Sequence, residues 1–198
     1  MVRLAIGVVI TSIVLFFWGF VVWGGAIPYA KLVWSTPATY DDSVRQDLKR
    51  HFPGNETYFI PNSTGDVSVD EKRYAEGPVA FVHMLNVDGR SMVDTSIMVK
   101  GFLLNLFFIL GLAAMFWQFR ESLTTYRQRM VLTVWFGVLS ALFVNIGDSI
   151  WWGIDYPWKL YQAFYTVTSI ILTGAILSRF IASPQTDGPA PAKSPDRA

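Results

Sequence analysis

The chain has 198 residues, of which 52% are hydrophobic, 16% aromatic and only 16% charged, with a formal net charge of +1 and a mean hydropathy of +0.35. A water-soluble domain carries about a quarter charged residues, so this balance points to lipid, and a near-neutral chain offers no global field for nucleic acid. The absence of cysteine excludes disulfides, thiolate metal sites, cysteine nucleophiles and covalent haem attachment.

Leu4 to Trp23 contains no ionisable residue. At 1.5 Å per residue a helix over this run covers about 30 Å, the thickness of a bilayer's hydrocarbon core. Residues 1–27 are therefore read as a retained first transmembrane helix. A cleaved signal peptide is the rival, because Arg3 precedes the run and Gly24-Gly25-Ala26 supplies small residues at its end. The length of the run, its Phe and Trp content and Pro28 just beyond it count against cleavage.

Residues 28–96 read as an extracytoplasmic α+β loop domain. Tyr40, Val44, Leu48 and Phe52 recur every four residues behind Asp41 and Asp42, which predicts an amphipathic helix over 42–52 stopped by Pro53-Gly54. Tyr58 to Ile60 and Val79 to Leu85 are read as strands, and Asp88-Gly89 as a turn. Between the strands Ser68 and Glu71 form a capping box for one short helical turn toward Ala75. A loop of about seventy residues without disulfides has a marginal core, so it is expected to dock on the bundle. His51 and His83 both lie here, with no metal-ligand spacing to Asp41, Asp47 or Asp88, and no metal or cofactor is expected. Asn55-Glu-Thr and Asn62-Ser-Thr fit the glycosylation pattern.

Residues 97–182 hold the remaining spans, Ile97 to Gln118, Met130 to about Ile146 and Trp158 to Ile181, with Gly147, Gly153 and Pro157 marking a turn between the last two. The fold class is thus a membrane all-α four-helix transmembrane bundle with the small α+β domain between helices 1 and 2. Lys100 is expected to snorkel to the interface and Asn105 to face protein. Arg3, then Arg120, Arg127 and Arg129, then Arg179, Lys193 and Arg197 all fall on one side of a four-span chain. Positive residues stay inside, so both termini are expected in the cytoplasm of a cell with an inner (plasma) membrane. Trp18, Trp23, Tyr29 and Trp34, and then Trp151, Trp152, Tyr156 and Trp158, are read as interfacial anchors at the outer face. The segment 183–198 holds four of the ten prolines and is expected to be a disordered cytoplasmic tail.

Two polar stripes stand out. Gln162, Thr166, Ser169 and Thr173 lie on one face of helix 4, and Gly137, Ala141, Asn145 and Asp148 on one face of helix 3. Facing each other, they form a polar seam to which Asn105 could contribute. One reading is close packing with interhelical hydrogen bonds. The other is a polar pocket or ion path with Asp148 as its protonatable or cation-binding member. Asp148 lies roughly 27 Å up its helix from Met130, near the outer interface, where Asp155 and Lys159 are nearby and could pair, though exposed pairs are worth little.

Tyr58-Phe-Ile-Pro61, Glu76-Gly-Pro-Val-Ala-Phe81, Gly89 and Trp152-Gly-Ile-Asp-Tyr-Pro157 together resemble motifs of uncharacterised small bacterial inner-membrane proteins with a domain of unknown function. The resemblance implies a bacterial inner-membrane setting and brings no catalytic residues. No P-loop, Gly-x-Ser-x-Gly elbow or dinucleotide fingerprint occurs. The leading expectation is a non-catalytic accessory or assembly subunit, contacting the lipid bilayer and either a protein partner or a second copy of itself. The alternatives are a small transporter or channel subunit using the helix 3–4 seam, and a membrane-embedded enzyme gathering His83, Asp88, Asp148 and Asp155 at the outer interface.

Overall fold

The computed structural model describes residues 2–91 and 93–181. Two compact units are distinguished: one takes the chain up to Ser35 and from Ser96 onward, the other Thr36–Thr95. The tail expected over 183–198 lies outside the described residues.

The long apolar runs all become helices, which satisfy backbone N–H and C=O groups within the segment itself. They are α1 (Val2–Trp23), α5 (Thr95–Gln118), α8 (Tyr156–Phe180) and a continuous stretch made of α6 (Tyr126–Ala141), a π-helical segment (Leu142–Ile146) and α7 (Gly147–Trp151). Among the described residues these are the four helices long and apolar enough to cross a membrane. The third runs further than its sequence suggests. Gly147 was expected to begin the turn, but its amide is held by the carbonyls of Leu142 and Val144, so the helix continues to Trp151. The reversal comes later, with Gly153 at φ +64° and Asp155 capping α8 through the Trp158 amide. Pro157 falls in the first turn of α8, where a missing N–H leaves no bond unmade.

Packing follows the small residues. A Cβ on Gly174 would overlap the side chain of Thr133, and one on Gly7 would lie 2.7 Å from Phe180 Cβ. These glycines let α8 approach α6 and α1 closely. Farther along α1, Trp18 Nε1 donates to Thr168 Oγ1 at 3.2 Å and the Tyr161 hydroxyl donates to Val22 O at 2.6 Å. α5 packs through larger groups: Phe102 meets Phe16 edge-on at 5.5 Å, and Ile109, Leu112, Ala113 and Phe116 share a core with Val8, Leu15, Leu177 and Ile181. The outward faces stay apolar, with Leu104, Phe107, Leu139 and Phe143 exposed. Short α2 (Tyr29–Val33) belongs to the same unit and stacks Tyr29 on Tyr161 at 5.7 Å.

In the second unit, α3 (Asp42–His51) is followed by β1 (Thr57–Ile60), α4 (Val67–Glu76) and β2 (Ala80–His83). The strands pair antiparallel with Phe59 opposite Phe81. The expected capping box at Ser68 and Glu71 is replaced by a stronger device. Asp66 is the N-cap, accepting from the amides of Ser68 and Val69, and its charge suits a helix N-terminus better than a hydroxyl does. The helix it starts is ten residues long instead of one turn. Asp41 caps α3 in the same way, and Asp70 accepts from Ser63 and Thr64. These bonds hold all three carboxyls below the ordinary value of 3.8. The Ser43 hydroxyl contributes most at Asp41, the Ser68 hydroxyl at Asp66 and the Thr64 hydroxyl at Asp70.

Candidate functional site

The polar groups of the long helices gather where α6, the π-helical segment and α7 face α8. Thr133, Gly137 and Ala141 are buried along α6, and the π-helical segment then carries buried Asn145. A π-turn inserts one extra residue, so the side chains beyond it are presented at a shifted angle. Asn145 Nδ2 points to Thr166 Oγ1 at a long 3.5 Å. One turn farther out, Lys159 Nζ donates to Asp148 Oδ2 at 2.6 Å, with side-chain exposures of 10% and 32%. This is a short, charge-assisted bond between two largely desolvated groups.

The Lys159 partner differs from the expected one. Asp155 spends its carboxylate on the Trp158 amide at the start of α8, whereas Lys159 lies on the seam-facing side and reaches across to Asp148. Two buried atoms next to this pair make no hydrogen bond, Ser149 Oγ and Gln162 Oε1. Ser149 follows Asp148 in the chain, and Gln162 lies one helical turn beyond Lys159. A buried oxygen without a partner costs about 1–3 kcal/mol, which sets this end of the seam apart from the rest.

The rest of the stripe behaves differently. The Thr173 hydroxyl bonds back to Ser169 O within its own helix at 2.8 Å, and so serves α8 and does not reach across to α6. Asn105 is half-buried in α5 and joins none of the seam's hydrogen bonds among the described residues.

A second buried polar group closes the other end of the pair. Arg129 is only 2% exposed. Its Nε donates to Leu123 O at 2.9 Å, and its Nη1 to Ser178 O and Ile181 O at 3.0 and 3.1 Å. Positive-inside topology alone does not describe this residue, since its guanidinium caps the C-terminus of α8. Its Nη2 is buried without a partner. Arg120 packs over the Trp117 ring and pairs with Glu121, and Arg127 is exposed.

Of the tryptophans, Trp23 sits among Tyr29, Trp158, Tyr161 and Tyr165, with ring centroids 5.0–5.5 Å away. Trp18 is tied to Thr168, while Trp151 and Trp152 are exposed. The acids and histidine weighed for an enzyme each have a local contact. His83 Nδ1 meets Thr57 Oγ1, Asp88 pairs with Lys49, Asp148 with Lys159, and Asp155 caps α8. Among the described residues no three His, Cys, Asp or Glu side chains gather closely enough to hold a metal ion.

Comparison with known proteins finds no match among family models, curated proteins or solved structures. The functional reading therefore rests on the geometry above.

Proposed function

We propose that the chain is a multi-pass protein of a bacterial inner membrane, of the kind its loop motifs resemble, acting as a non-catalytic accessory or assembly subunit. In this reading both termini are cytoplasmic, the 28–96 domain lies outside, and the tryptophan clusters sit at the outer headgroup level. The carrying observation is that Asp148 and Lys159, the charges set deepest between the helices at that end, bond to each other at 2.6 Å. Charges closed on one another hold helices together, which suits a packing role for this pair. The apolar outward faces support lipid contact. Chemical crosslinking after gentle extraction should recover one consistent partner or a defined homo-oligomer, and recovery of the bare monomer alone overturns the reading. Since the chain lacks cysteine, single cysteines placed at Arg3 and Lys72 should label from opposite sides of the membrane.

The π-helical segment, with Ser149 Oγ and Gln162 Oε1 left unbonded, favours one second reading, a small proton or cation transporter subunit using the outer seam. That reading requires flux in reconstituted vesicles that Asp148→Asn abolishes. Flux unchanged by the substitution removes the aspartate from any path.

A further inference from the structure

The end of the molecule where α6 begins and α8 finishes carries an unbalanced positive charge. Arg127 and Arg179 are exposed, Arg129 is buried against carbonyls, and none of the three has a carboxylate partner in an ion pair among the described residues. Arg179 lies over the Tyr126 ring at 6.0 Å, which places it at the first turn of α6, the turn that carries Arg127. The contact of Gly7 with Phe180 places the first turns of α1, with Arg3, at the same end. Among the described residues Glu121, close by in the chain, is engaged with Arg120.

A groove of about 440 Å³ opens on this end, lined by Leu123, Arg127, Gln128, Val131, Leu132 and Trp135. Its polarity is graded. Arg127, Val131 and Trp135 follow one another at steps of four along α6, as do Gln128 and Leu132, so each row puts its polar residue in the first turn and its apolar ones deeper. The Gln128 side chain is occupied in the capping box with Thr125, and Arg127, which makes no ion pair among the described residues, is the cation that lines the mouth. From there to Trp135 is about 12 Å along the axis, a length suited to the upper part of an acyl chain.

We propose that this groove is a binding site for an anionic phospholipid, with the phosphate at Arg127 and one acyl chain laid along Val131, Leu132 and Trp135. The proposal rests on the membrane reading above. Charge complementarity selects the occupant: a zwitterionic headgroup would leave the excess of guanidinium charge unanswered, whereas one net negative charge answers it in the low-dielectric boundary where it counts most.

The test uses the full chain in phosphatidylcholine vesicles doped with equal fractions of brominated phosphatidylglycerol or brominated phosphatidylcholine. Bromine quenches tryptophan on contact, and comparison with Trp135→Phe isolates the Trp135 signal. Quenching of Trp135 should favour the anionic lipid by about fivefold, and Arg127→Gln, at an exposed position that leaves the fold intact, should bring the ratio to one. Added salt should reduce the preference. Equal quenching by both lipids overturns the proposal while leaving the membrane reading standing. Protection of Trp135 from both lipids while other tryptophans are quenched means that protein covers the groove, which also overturns it. Absence of quenching at every tryptophan overturns the membrane reading itself.

Discussion

Lys159 and Arg129 are two buried cations at opposite ends of one helix pair, and they are held in different ways. The ammonium of Lys159 takes one carboxylate at 2.6 Å, a point charge meeting a point charge. The guanidinium of Arg129 spreads over three backbone carbonyls from two segments, as its planar fork allows. The first arrangement is neutral and local. The second keeps its full charge and ties the turn at Leu123 to the last turn of α8, so it serves as a joint between segments.

The largest expected effect is at the joint. Arg129→Ala should lower stability by roughly 3–4 kcal/mol, because three carbonyls lose a charged donor in a buried place; thermal denaturation in detergent micelles measures it. Arg129→Lys should recover only part of the loss, and full recovery would show that charge matters here and geometry does not. At the Lys159 end, Asp148→Asn should cost roughly 2–3 kcal/mol by stranding the ammonium, with water access to Asp148 keeping the figure moderate. Replacing both partners, as Asp148→Asn with Lys159→Met, should recover most of that. A double variant as damaged as the two single losses combined would mean that the groups do not act as a unit.

The smallest effect concerns charges met a third way, at the exposed caps of the 36–95 unit. Asp41, Asp66 and Asp70 have folded values below 3.8. Their contribution is therefore complete above about pH 4 and lost as pH falls through the lowered folded values. An acid titration followed by proton NMR should show the amides at the starts of α3 and α4 shifting below that point, and Asp66→Asn should remove the shift at α4 only. Amides that move with a midpoint at the ordinary carboxyl value would show that the caps confer no protection.

Much of the helix pair can be read from residue spacing. Extending the stripe Gly137, Ala141, Asn145 backward by fours reaches Thr133 and then Arg129, and extending Gln162, Thr166 backward reaches Lys159 by three. Both buried cations were thus on the stripes already, hidden because charge near a span end reads first as topology. The Asp148 to Lys159 pairing is harder, since Asp155, four residues before Lys159, is the nearer partner in the chain and is taken instead by the Trp158 amide. In the 36–95 unit the strands and α3 follow from alternation and period, whereas α4 was underestimated because its apolar content is low and its start depends on one aspartate.

The π-helical segment has a consequence for phase. Each α-helical residue advances the side-chain direction by about 100°. Deleting one residue between Leu142 and Ile146 would let the stretch relax to α-helix and keep Arg129, Thr133 and Gly137 in register with α8. Asp148 and Ser149 would keep their direction too, because the π-turn already takes up one residue more than an α-turn. Restoring α-helix without the deletion would instead turn them by about that angle relative to the Arg129 joint, so the backbone turn between the two ends sets the phase of the charge pair.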